Sequence, residues 1–104
     1  MEQIERIQYM EDILRRGRTV CDMLEDALEA LEGLYPTLKE LSAYYESKLW
    51  LFDFDCDQQG LLPADMRRGV LSEDAIYDLL SDYDRLRGQM RALAARELEP
   101  GEGV

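Results

Sequence analysis

Apolar residues return at alternating steps of three and four through most of the chain, which is the signature of amphipathic helices. The first such seam reads Ile7, Met10, Leu14, Gly17, Cys21, Leu24, Leu28, Leu31. Ile4, Ile13, Val20 and Ala27 widen it into the stripe that a bundle helix needs. The spacing predicts a first helix from about Gln3 to Glu32, roughly 45 Å long at 1.5 Å per residue. Gly33 suits a helix end, and Pro36 suits the first turn of a following helix. A second helix is therefore expected over 36–51, with Leu34, Leu38, Leu41, Tyr45 and Leu49 continuing a seam, and folded back on the first as an antiparallel hairpin.

From Trp50 the pattern changes. Aromatics alternate with aspartates through Phe52, Asp53, Phe54, Asp55 and Asp57 to Gly60. This reads as a connector whose aromatics dock on the helices, since Asp disfavours strands. Pro63 and Gly69 would bracket a helical turn. Ser72 is a cap for a third helix over 73–97, with Ile76, Leu79, Tyr83, Leu86, Met90 and Leu93 as its seam. The expected fold is all-α: a three-helix bundle with a long first helix, a helical hairpin and an Asp/aromatic-rich connector. Residues 1–98 would form one domain, followed by a disordered tail over 99–104. The 104 residues suit a single domain.

Composition narrows the function. The net charge is −11, from 23 acids against 12 bases. Such a field repels nucleic acid and anionic membranes and favours a basic protein partner or cations, or serves solubility alone. Acids crowd the end of the first helix (Asp22, Glu25, Asp26, Glu29, Glu32) and arginines the end of the third (Arg85, Arg87, Arg91, Arg96), so a parallel arrangement of the two would bring them together. Neither an apolar leader nor a membrane-length apolar run is visible, and two cysteines make no disulfide framework. A cytoplasmic protein is the simplest reading. The chain has no histidine, which removes the commonest general base and transition-metal ligand. With no catalytic motif, a non-enzyme without cofactor is expected.

Few residues carry candidate chemistry. Asp53-x-Asp55-x-Asp57-x-x-Gly60 sets three carboxylates two apart, which can converge on a hard cation when the chain curls. An EF-hand loop counted from Asp53 would need Gly and Glu where Gln58 and Ala64 stand, so a solvated turn is favoured over a metal site. Arg67 and Arg68, with Arg15, Arg16 and Arg18, are the basic clusters. They suit a carboxylate or phosphate, but more often pair with acids of their own chain. Cys21, on the seam, reads as a small buried residue. Cys56 sits among carboxylates, a poor setting for a thiolate. Tyr9 and Tyr77 lie just off their seams and are candidates to face a partner.

Three stretches carry a family resemblance: Ile4 to Glu11 at the start, Tyr44-Tyr45-Glu46-Ser47-Lys48-Leu49-Trp50, and the run from Leu62 to Asp74 through Arg67-Arg68-Gly69-Val70-Leu71-Ser72. Together, over about Ile4 to Met90, they resemble the small bacterial proteins of domain-of-unknown-function family 4298. The resemblance implies a bacterial, stand-alone helical protein and nothing catalytic. Any site would be sought where Trp50, Asp53, Asp55, Asp65, Arg67 and Arg68 meet. Three functions follow as expectations. The first is a non-enzymatic interaction module or self-associating bundle. The second is an acidic DNA mimic that inhibits a nucleic-acid-binding protein. The third is a cation-binding protein using Asp53, Asp55 and Asp57.

Overall fold

The computed structural model describes residues 2–98, so the expected tail over 99–104 lies outside them. The described chain is all-α, with helices α1 (Gln3–Tyr45), α2 (Lys48–Gln58) and α3 (Ala75–Ala94) and one 3₁₀ turn, Gly69–Leu71. No strand occurs among the described residues. The chain divides into two compact units, Met1–Lys39 and Glu40–Val104.

The three helices are not divided where the sequence suggested. No hairpin forms at Gly33: α1 runs straight through Gly33 and Pro36 to Tyr45 as one helix of 43 residues. Proline inside a helix removes one main-chain donor and crowds the preceding turn. Here the cost stays local. The Thr37 hydroxyl donates to the Leu34 carbonyl at 2.7 Å, and Leu, Glu and Lys around the proline are strong helix formers. The break comes instead at Glu46–Ser47.

The Asp/aromatic stretch is likewise helix, not connector. Ser47 caps α2 by accepting the Trp50 main-chain N–H at 3.4 Å while its own hydroxyl donates to the Tyr44 carbonyl at 2.6 Å. Gly60, at φ +72°, ends α2: its N–H reaches the Asp57 carbonyl, and the Leu61 N–H reaches the Cys56 carbonyl, both at 3.0 Å. This paired closure requires a left-handed residue, which glycine supplies without strain. Between Pro63 and Gly69 there is a tight turn closed by the Met66 N–H on the Pro63 carbonyl, not a helical turn ending at Gly69, which instead opens the 3₁₀ turn. The last helix begins at Ala75 with Asp74, not Ser72, at its cap position, although the Ser72 hydroxyl still accepts the Ala75 N–H at 3.2 Å.

The two units differ in how their apolar residues are used. The second unit has a small core of Trp50, Leu71 and Ile76, with Leu41, Tyr44, Tyr45, Phe54, Leu62 and Leu80 packed around it. In the first unit none of the described residues is buried. Its seam is in water: Leu14 is 66% exposed and Met10 53%. Cys21, expected in a core, is exposed with the rest of that seam.

Candidate functional site

Two places could carry function, the polar cluster around α2 and the bare stripe of α1. On α2 the four-residue spacing sets Trp50 and Phe54 on one face, and Asp53 and Asp57 on another. Trp50, 8% exposed, is the hub of the small core. Its ring meets Tyr45 edge-on (centroids 5.2 Å apart, 76° between planes) and stacks on Phe54 (5.2 Å, 18°). Its indole Nε1–H donates to the Val70 carbonyl at 2.9 Å, which ties the 3₁₀ turn to α2.

The aspartates are already engaged. The Tyr44 hydroxyl donates to Asp53 Oδ2 at 2.6 Å. Burial, then the hydrogen bond to Asp53 and that carboxylate's charge, push the Tyr44 phenol up to about 12. Arg68 Nη1 donates to Asp57 Oδ1 at 2.6 Å, and its Nη2 to the Pro63 carbonyl at 2.8 Å. Asp57 is 12% exposed and Arg68 33%, so this pair is shielded from water, unlike the other ion pairs. Asp55 is exposed and two positions from each of the others, about 200° around a helix of 3.6 residues per turn. The three carboxylates therefore do not converge. Among the described residues no group of three or more acids and cysteines could hold a metal ion.

The remaining candidates are scattered. Trp50 is core rather than surface, while Asp65 and Arg67 are exposed on the loop before the 3₁₀ turn. Tyr77 is exposed on α3, and Tyr9 on α1. Three arginines of α1 pair within their own helix, Arg15 and Arg16 with Asp12, Arg18 with Asp22. Two arginines of α3 do the same, Arg85 with Asp82 and Arg87 with Asp84. Pairs this exposed contribute about 0–1 kcal/mol. Sequence reading did not find Tyr44 as the partner of Asp53, nor Asp57 as the partner of Arg68. The i, i+4 spacing of Asp53 and Asp57 after the Ser47 cap was the available signal.

The stripe of α1 is the larger feature. Ile4, Ile7, Met10, Ile13, Leu14 and Val20 are all exposed, and so are Met23, Leu24, Leu28 and Leu34 further on. At Gly17 the missing side chain leaves a notch lined by Ile13, Arg16 and Val20. No helix among the described residues is long and apolar enough to cross a membrane.

A family model described as a domain of unknown function, DUF4298, matches residues 7–93. No curated protein and no solved structure matches the chain.

Proposed function

The chain belongs to the DUF4298 family of domains of unknown function, and from its own surface we propose that it is a non-enzymatic interaction module that presents the α1 stripe to a protein partner. One observation carries this reading: a long helix whose apolar seam has no buried residue anywhere along 3–39. Single exposed apolar residues are ordinary, but a contiguous apolar strip on a soluble chain marks a surface that another molecule covers. An isolated helix of this kind gains nothing from its stripe, because helical stability in proteins comes mainly from packing that face. The absence of histidine and the engagement of Asp53 and Asp57 supply no competing catalytic centre. The two free cysteines and the strong negative charge fit a reducing, cytoplasmic setting.

The test is photo-crosslinking in the cells the protein comes from. A photoreactive phenylalanine at Leu24, on the stripe, should give a defined protein adduct, and one at Asp26, off the seam, should not. Equal labelling at both positions, or none at Leu24, would reject the reading.

A further inference from the structure

The spacing and flanking charges of the stripe identify its occupant. We propose that it is a second copy of this chain, its α1 antiparallel to the first with Cys21 opposite Leu24. This rests on the interaction reading above and names its partner.

The period comes first. From Ile7 to Leu38 the seam alternates steps of three and four without a slip, passing through Leu31, Tyr35 and Leu38. That is a repeat of 3.5, whereas a straight helix turns every 3.6 residues and would let the stripe drift about 20° per heptad. A stripe held to 3.5 stays on one face only when the helix supercoils around another helix. The partner must also be long. The seam rises about 47 Å from Ile7 to Leu38 at 1.5 Å per residue, while α3, with 20 residues, rises about 30 Å.

The flanks fix the orientation. One side of the seam is apolar, with Ile13, Val20, Ala27 and Leu34; the other is charged, with Glu11, Arg18, Glu25, Glu32 and Lys39. In a parallel pair each flank faces the opposite flank of its neighbour. Ile13 would then lie beside Arg18 of the second copy and Val20 beside Glu25, which desolvates charge against hydrocarbon. In an antiparallel pair each flank meets its own kind. The apolar sides close over the seam, Arg18 falls between Glu25 and Glu32 of the second copy, and Glu11 falls between Glu32 and Lys39.

Volume fixes the register. With Cys21 opposite Leu24, the seam pairs end to end, from Ile7 with Leu38 inward. Small residues then meet large ones. Leu28 of the second copy enters the notch at Gly17, where a side-chain carbon would have nothing within 4 Å. Tyr35 lies across Met10. An in-register parallel pair would instead stack glycine on glycine, leaving a void, and tyrosine on tyrosine.

Light scattering on the purified full chain should give twice the 12.1 kDa chain mass; a strict monomer overturns the proposal. Orientation is read by disulfides in a Cys21→Ser, Cys56→Ser background. Chains carrying Leu14→Cys are mixed with chains carrying Leu31→Cys and oxidised with copper–phenanthroline. The antiparallel register sets residue 14 against residue 31 of the second copy. It holds like residues about 26 Å apart along the axis at 1.5 Å per residue, far beyond the roughly 7 Å limit for a disulfide. The mixed disulfide should exceed both like disulfides by at least about tenfold. A dominance of like disulfides would show a parallel pair, and a dimer yielding neither would be held by another surface; both outcomes overturn the proposal. A monomer that still gives a stripe adduct with a different protein in cells removes the second copy while leaving the interaction reading standing. A monomer with no adduct removes both.

Discussion

The indole of Trp50 and the main-chain carbonyl of Val70, twenty residues apart in sequence, are joined by a hydrogen bond of 2.9 Å. It is the long-range bond that fastens the 3₁₀ turn to α2, with Leu71 and Ile76 buried beneath. Trp50→Phe keeps an aromatic ring against Tyr45 and Phe54 but leaves the Val70 carbonyl without its donor. The expected loss is about 1–2 kcal/mol, against about 3–5 kcal/mol for Trp50→Ala, which also empties the core. Urea unfolding followed by circular dichroism measures both. No loss in Trp50→Phe would mean that the hydrogen bond contributes nothing, and equal losses in both variants that the ring's packing adds nothing.

Arg68 and Asp57 should behave as a coupled pair. Only one guanidinium can hold the Asp57 carboxylate and the Pro63 carbonyl together, so Arg68→Lys loses one of the two contacts despite keeping the charge. Arg68→Lys is expected to cost about 1–2 kcal/mol, and Asp57→Asn a similar amount. In a double-mutant cycle the two losses should fall short of additivity by at least about 0.5 kcal/mol. Strict additivity would show that the short contact carries no energy. The run around Arg67-Arg68-Gly69 is thereby accounted for by closure of the loop between α2 and the 3₁₀ turn.

Tyr44 gives a prediction in pH. Its phenol, ordinarily at 10, is pushed up to about 12 by burial, then by its hydrogen bond to Asp53 and that group's charge. The native state holds this proton more tightly than the unfolded chain does. The stabilisation is therefore complete below about pH 10 and is lost as pH rises towards about 12. Ultraviolet titration of the six tyrosines should show a late phenolate component that disappears in Tyr44→Phe. Loss of stability between these pH values should shrink in the same variant. An unchanged titration curve would remove Tyr44 as the source.

How much of this was readable beforehand differs along the chain. The all-α class and the seams of the first and third helices follow from periodicity, because 3.6-residue spacing is a local property of the sequence. The α2 stretch misled because aromatic and aspartate alternate at a spacing of two, which mimics a strand. Yet Ser47 and Gly60 were both present as cap and stop, and Trp50, Phe54 and Asp57 already stood at helical intervals. Trp50's acceptor was out of reach, since any exposed carbonyl could serve and nothing in the residue type of Val70 marks it. The exposure of the α1 stripe was equally hidden: an apolar seam announces that it will be covered, not by which molecule.

Gly33 and Pro36 provide the sharpest test of where α1 ends. If they formed a hairpin joint, Gly33 would hold a left-handed cap and Pro36 would open the next helix, so replacing either with alanine would destabilise the chain. In the continuous helix the sign is reversed. Gly33 lies mid-helix with nothing within 4 Å of where a side-chain carbon would sit, so Gly33→Ala meets no obstruction and should stabilise by about 0.5–1 kcal/mol. Pro36→Ala restores a main-chain donor in a helix interior and should add up to about 3 kcal/mol. The seam argues the same way, since Leu31, Tyr35 and Leu38 keep step across the supposed joint, which a turn would break. Thermal melts of both variants decide the matter, and a fall in midpoint for either would restore the hairpin.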